Sequence, residues 1–290
     1  MVEYVSVITS TVLLAFEFAC SKKYQFLEGT SLQMGLRYNA VSGLTSAVFM
    51  WILCGFRPEW SSYSLLLAFA MALSSMLYTL LSFQILKLGG IALYSLVLMS
   101  GGMLLPYVFG ILFWNESFTF AGILGLAAVL AAVILANFNR QTVNKPLLYL
   151  CFAVFILNGC CSILSKTHQI NQTFATTDSA GFVLYSGVWK CLLCAPILLV
   201  RKKPRASHPV SRIPSLSVII GASVISAASY LLQLNGAKFL PASVLYPVIT
   251  GGSVVFSAIT GRILFKERIS IRQALCMLLC ILGTWLLIKK

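Results

Sequence analysis

Two charged side chains interrupt stretches that are otherwise apolar. Glu17 stands in LLAFEFAC, and Lys190 stands in GFVLYSGVWKCLLCAPILLV with apolar residues on both sides. A carboxylate in a low-dielectric setting can exchange a proton near neutral pH, because burial disfavours its charged form. Glu17 is therefore a candidate ion-coupling group; the alternative is a helix-end carboxylate paired with Lys22 or Lys23. An ammonium at mid-span is costly unless it snorkels or meets a partner. Lys190 could bind a substrate carboxylate or phosphate, or could pair with Glu17 as a structural ion pair.

The other candidate polar groups within apolar runs are Arg37, Asn39, Asn158, Tyr185, Tyr230, Gln233, Asn235 and Tyr246. Arg37 offers a planar fork suited to carboxylate or phosphate, or serves as a charged anchor at the membrane surface. Asn158 and Asn235 can bond a substrate or a neighbouring helix. Tyr185, Tyr230 and Tyr246 lie deep enough to line a cavity for an amphipathic organic molecule, and Gln233 shares a helix with Tyr230. Asn39 aside, these residues and Lys190 form the expected substrate wall.

Metal and redox chemistry find little footing. Cys191 and Cys194 form a CxxC, Cys276 and Cys280 lie one helical turn apart, and Cys160 and Cys161 are adjacent. All six fall in apolar runs, where small side chains let helices approach. Zinc sites combine thiolates with histidines, and the two histidines, His168 and His208, are isolated. No cofactor or metal is expected, and no paired acid–base constellation points to an enzyme.

The elements that must hold these residues follow from composition. Of 290 residues, 59% are hydrophobic and 10% are charged, against about 25% charged in a soluble domain. A bilayer core about 30 Å thick is crossed by roughly 20 apolar residues in a helix. Ten runs qualify: 2–20, 32–56, 64–86, 90–114, 118–138, 147–165, 181–200, 216–237, 241–265 and 274–288. They are too long and too uniformly apolar for barrel strands, so an all-α polytopic membrane protein with ten transmembrane helices is predicted. The connections are short, and MVEYVSVITS lacks the basic start of a signal peptide, so the first run is expected to stay as an anchor.

The chain writes one pattern twice. KLGGIALYSLVLMSGGMLLPYVFGILFWNE at 87–116 lies without gaps on KFLPASVLYPVITGGSVVFSAITGRILFKE at 238–267, half a chain length later. Lys87 meets Lys238, Gly101 meets Gly252, Gly110 meets Gly261 and Glu116 meets Glu267. Ser21-Lys22 likewise answers Ser165-Lys166, which sets Cys161 opposite Glu17. Five spans per half make the repeat inverted, with halves at 1–141 and 142–290. Inverted repeats typify secondary transporters, whose substrate site lies near the bilayer midplane between the halves. Gly101, Gly102, Gly251 and Gly252, with Pro106 and Pro247, mark the fourth helix of each half as a place where the halves meet, either as hinges or as tight packing. A channel or facilitator would share this architecture; a scaffold would give no reason for the repeat.

Two five-helix halves, each with a glutamate after its fourth helix, resemble the drug/metabolite transporter superfamily in its ten-helix EamA-like branch, and more distantly the small multidrug resistance transporters. The family's usual Gly-Glu appears as Asn115-Glu116 and Lys266-Glu267. The resemblance implies efflux of a small organic metabolite or drug across the plasma (inner) membrane by alternating access, with a proton or another ion as coupling partner in an antiporter. Glu17 is similar in placement to the first-helix glutamate of the small multidrug transporters. The net charge of +14 resides in loops and offers no folded basic surface for nucleic acid. Lys and Arg crowd the loops after odd-numbered spans, which by the positive-inside rule puts those loops in the cytoplasm and both termini outside. The resemblance implies both termini inside, so the orientation stays open, as does the oligomeric state.

Overall fold

Apolar runs in lipid must satisfy every backbone N–H and C=O internally, and here they do so as helices. The computed structural model describes residues 2–29, 31–88, 90–117, 119–137, 145–200, 212–266 and 270–289. Among these residues there are ten α-helices and no strand. They are α1 (Val2–Glu28), α2 (Leu32–Leu53), α3 (Ser62–Leu88), α4 (Gly90–Phe113), α5 (Phe120–Asn137), α6 (Lys145–Ile170), α7 (Ser179–Val200), α8 (Arg212–Phe239), α9 (Ala242–Phe265) and α10 (Ile271–Ile288). Each predicted span is matched by one helix, and α1 and α6 run on through their Ser-Lys pairs. Eight helices are long and apolar enough to cross a membrane by length and composition. The apolar part of α5 is shorter, and Gln33, Arg37 and Asn39 dilute the first turns of α2.

Packing repeats when each helix is exchanged for the one five places on. The most extensive contacts are α2 with α7 and α1 with α8; α5 with α10, α4 with α6 and α3 with α6 follow. Adding five turns α3–α6 into α8–α1, α4–α6 into α9–α1 and α3–α7 into α8–α2, all of which are also in contact. The pairs α2–α7, α5–α10 and α4–α9 map onto themselves, so they lie on the pseudo-two-fold. The first helix of each half is thus clasped by the third and fourth helices of the other.

Glycine lets the self-mapped pairs come close. A Cβ at Gly43 would lie 2.6 Å from the Gly187 carbonyl oxygen, and one at Gly187 would lie 2.6 Å from the Gly43 carbonyl oxygen. These two residues are counterparts in the alignment that pairs Lys22 with Lys166. At the α5–α10 crossing, a Cβ on Gly125 would be 2.7 Å from the Gly283 oxygen, and the reverse distance is 2.8 Å. The glycines flagged by the repeat are packing positions too. Gly101 lies against the Phe155 backbone of α6 and Gly252 against Thr11 of α1; Thr11 and Phe155 are again counterparts. Gly102 abuts Asn158, and Gly251 abuts Thr284 of α10. Pro106 and Pro247 lie inside α4 and α9 without ending them.

On the face that carries the connections after even-numbered helices, those after α2 and α6 are tied together. Ser61 Oγ donates to the Ala175 carbonyl at 2.5 Å, and the Thr177 N–H donates to Ser64 Oγ at 3.0 Å. Ser64 Oγ also meets His168 Nε2 at 2.8 Å, while the His168 ring stacks on Phe182 with centroids 4.0 Å apart. Tyr185 OH donates to the Glu59 carbonyl at 2.6 Å.

Candidate functional site

The extension of α1 to Glu28 moves Glu17 from a helix end into the body of the helix. Its carboxylate accepts from Tyr38 OH of α2 at 3.5 Å, and the Lys190 ammonium of α7 is among the charges that act on it. Lys190 leaves α7 at the glycine crossing, where a Cβ on Gly43 would be 2.9 Å from the Lys190 Cβ. Glu17 and Lys190 are both half-buried. Cys161 of α6, the counterpart of Glu17, also lies in the field of Lys190. Three helices from both halves, α1, α6 and α7, therefore present Glu17, Cys161 and Lys190 to one region, with Tyr38 from α2 beside them.

The remaining wall residues occupy other places. Tyr230 OH bonds Ser165 Oγ at 2.6 Å and Met71 Sδ at 2.9 Å, joining α8 to α6 and α3 nearer the even-loop face. Tyr246 OH donates to the Ser162 carbonyl at 2.5 Å. Asn158 Nδ2 donates to the Leu98 carbonyl at 2.7 Å, an α6–α4 bond of the interhelical kind. Gln233 Nε2 donates to Ser229 Oγ at 3.2 Å, and Ser229 in turn donates to the Ser10 carbonyl of α1. Asn235 is half-buried near the end of α8. Tyr185 does not join Lys190: its hydroxyl is spent on Glu59 at the even-loop face, and its ring meets Trp60 edge-on. Arg37 pairs with Glu28 at 3.8 Å, across the connection between α1 and α2.

No group of three or more His, Cys, Asp and Glu side chains among the described residues is arranged to hold a metal, and the cysteines among them are free thiols. Tyr38 was not singled out in the sequence, although it stands between Arg37 and Asn39 in the least apolar part of α2. Lys166 was visible only as half of a repeated Ser-Lys pair. It is 4% exposed, and its ammonium donates to the carbonyls of Ala237 and Leu240. Glu267, the partner of Glu116 in the repeat, lies outside the described residues.

A solved crystal structure of a protein superposes with a TM-score of 0.74, covering 98% of this chain and 95% of its own at 15% identity. At that identity the likeness is one of fold. No curated protein matches the sequence. The model of the EamA-like transporter family matches residues 147–289, from the first turn of α6 to the end of α10. Residues 147–289 are therefore similar to the EamA-like transporter family.

Proposed function

We propose that this multi-pass membrane transporter exports a small organic metabolite or drug across the plasma membrane by alternating access, driven by exchange for protons. The halves 1–141 and 142–290 are the moving parts, and the substrate site lies between them. The observation that carries this reading is the placement of opposite charges, Glu17 and Lys190, inside lipid-spanning helices from opposite halves. Such charges in hydrocarbon mark substrate or ion pathways. Lys190 supplies a cation for an acidic group of the substrate, and Tyr38 orients the Glu17 carboxylate. Glu17 takes a proton on one side and releases it on the other, so its charge state and substrate occupancy at Lys190 are linked.

The test is flux in proteoliposomes with and without an imposed pH gradient. Amino acids, nucleotides and cationic dyes serve as the first substrates. The expected result is gradient-accelerated flux in the wild type. In Glu17→Gln the flux with a gradient falls to its rate without one, while substrate binding persists. Gradient-driven flux at the wild-type rate in that variant would assign coupling elsewhere.

A further inference from the structure

The repeated glutamate and lysine meet at one corner of the even-loop face. There α8 ends at Phe239 and α9 begins at Ala242, with Pro241 as an N-cap that supplies no side-chain hydrogen bond. Glu116 supplies it from the connection after α4. Its Oε1 accepts from the Ala242 N–H at 2.5 Å, and its Oε2 accepts from the Ser243 N–H at 2.8 Å. Lys166 of α6 closes the other end, donating to the carbonyls of Ala237 at 2.5 Å and Leu240 at 2.6 Å. A carboxylate thus sits at the positive end of α9 and an ammonium at the negative end of α8, the arrangement the helix dipoles favour. Lys166 also lies in the field of Glu116.

The approach of Glu116 is built into the chain. Asn115 adopts a left-handed backbone with φ 52°, and the Glu116 N–H turns back to the Gly110 carbonyl at 3.1 Å. The carboxylate folds over Gly110, where a Cβ would lie 2.9 Å from Glu116 Cδ. The spacing from Gly110 to Glu116 is therefore the spacing of a folded-back cap. Lys22, the counterpart of Lys166, is exposed and lines a groove between α1 and α9 with Ala15, Ala19, Ser257 and Thr260.

We propose that Glu116 and Lys166 form the latch of the even-loop gate, fastening the α8–α9 corner to α4 and α6 while that face is closed and letting go when it opens. Both charges then pass to water, so release exchanges two helix caps for hydration. The proposal rests on the alternating-access reading, but its test needs neither substrate nor gradient.

Spin labels carried on an encoded ketone amino acid at positions 172 and 239 report the distance from the connection after α6 to the end of α8, with the native cysteines in place. The wild type in nanodiscs is expected to give one short distance. In Glu116→Gln and in Lys166→Gln a longer population should grow, with the closed-to-open ratio falling about fivefold per lost cap. Ser270→Ala serves as the control, because it removes the capping box of α10 on the opposite face and should leave the distance unchanged. An unchanged distribution in folded Glu116→Gln would overturn the proposal, and so would equal broadening in Ser270→Ala. If Lys166→Gln does not fold, Glu116→Gln decides alone. Failure of proton-driven flux with an intact latch would count against coupling only.

Discussion

Glu17 and Cys161 hold matching places in the two halves, yet only the first is a carboxylic acid. That asymmetry separates the work of Glu17 and Lys190. Lys190→Gln is expected to weaken substrate binding tenfold or more, about 1.4 kcal/mol, in equilibrium binding to the detergent-solubilised protein. Glu17→Gln should leave that affinity within a factor of about two or three while removing the response to a pH gradient. A second residue-level prediction concerns the two left-handed positions, Asn115 at φ 52° and Lys266 at φ 56°. They are counterparts in the repeat, and each precedes a glutamate where the resembling family places glycine. Asparagine tolerates this backbone, but an L-lysine is strained there by about 1–2 kcal/mol. Lys266→Gly should therefore raise the thermal unfolding midpoint, and Asn115→Gly should change it less. The reason for a glycine at these points was invisible in the sequence, because nothing in the letters Asn-Glu and Lys-Glu announces a positive φ.

At the scale of elements, the glycine crossings set how closely helices approach. A Cβ at Gly43 meets the Gly187 backbone at 2.6 Å, and backbone cannot swing aside as a long side chain does. Gly43→Ala should force α2 from α7, costing about 1–3 kcal/mol, read as a lower unfolding midpoint. Gly221→Ala in α8 has open space around it and should be neutral or stabilising, by up to about 1 kcal/mol. The helices themselves were legible, because runs of about twenty apolar residues have one structural outcome in lipid. Their partners were not. Small residues are scattered through every span, so their positions alone did not select Gly43 and Gly187 as a contact. The same limit hid Tyr185, which reads as a mid-span aromatic but ties its hydroxyl to Glu59 at the even-loop face. Asn158 donates to a neighbouring helix and Arg37 pairs with Glu28, an acid that nothing in the sequence set beside it.

For the whole molecule, the contacts of α1 with α8 and α9, and of α6 with α3 and α4, entwine the halves. A chain cut between α5 and α6 leaves α1 and α6 each without their clasping helices. Residues 1–141 expressed alone are expected to be degraded or to aggregate, and co-expression with 142–290 should restore a complex that co-purifies. Stable accumulation of the first half by itself would show that this entwining contributes little to stability. The inverted repeat was readable from 87–116 and 238–267, since a five-span offset reverses direction whatever the letters are. The exchange of first helices was not, because sequence order suggests five neighbours packed together in each half.

That exchange imposes a schedule on synthesis. α1 leaves the ribosome well before α8 and α9. At about 5–20 residues per second, α1 waits roughly ten to forty seconds before its partners are made. Until α7 is made Glu17 has no Lys190 to answer it and, until α2 arrives, no Tyr38. Lipid is a poor host for a lone carboxylate, so the waiting helix has reason to linger at an insertion site or at the membrane surface. A helix made early is in this sense late to find its place.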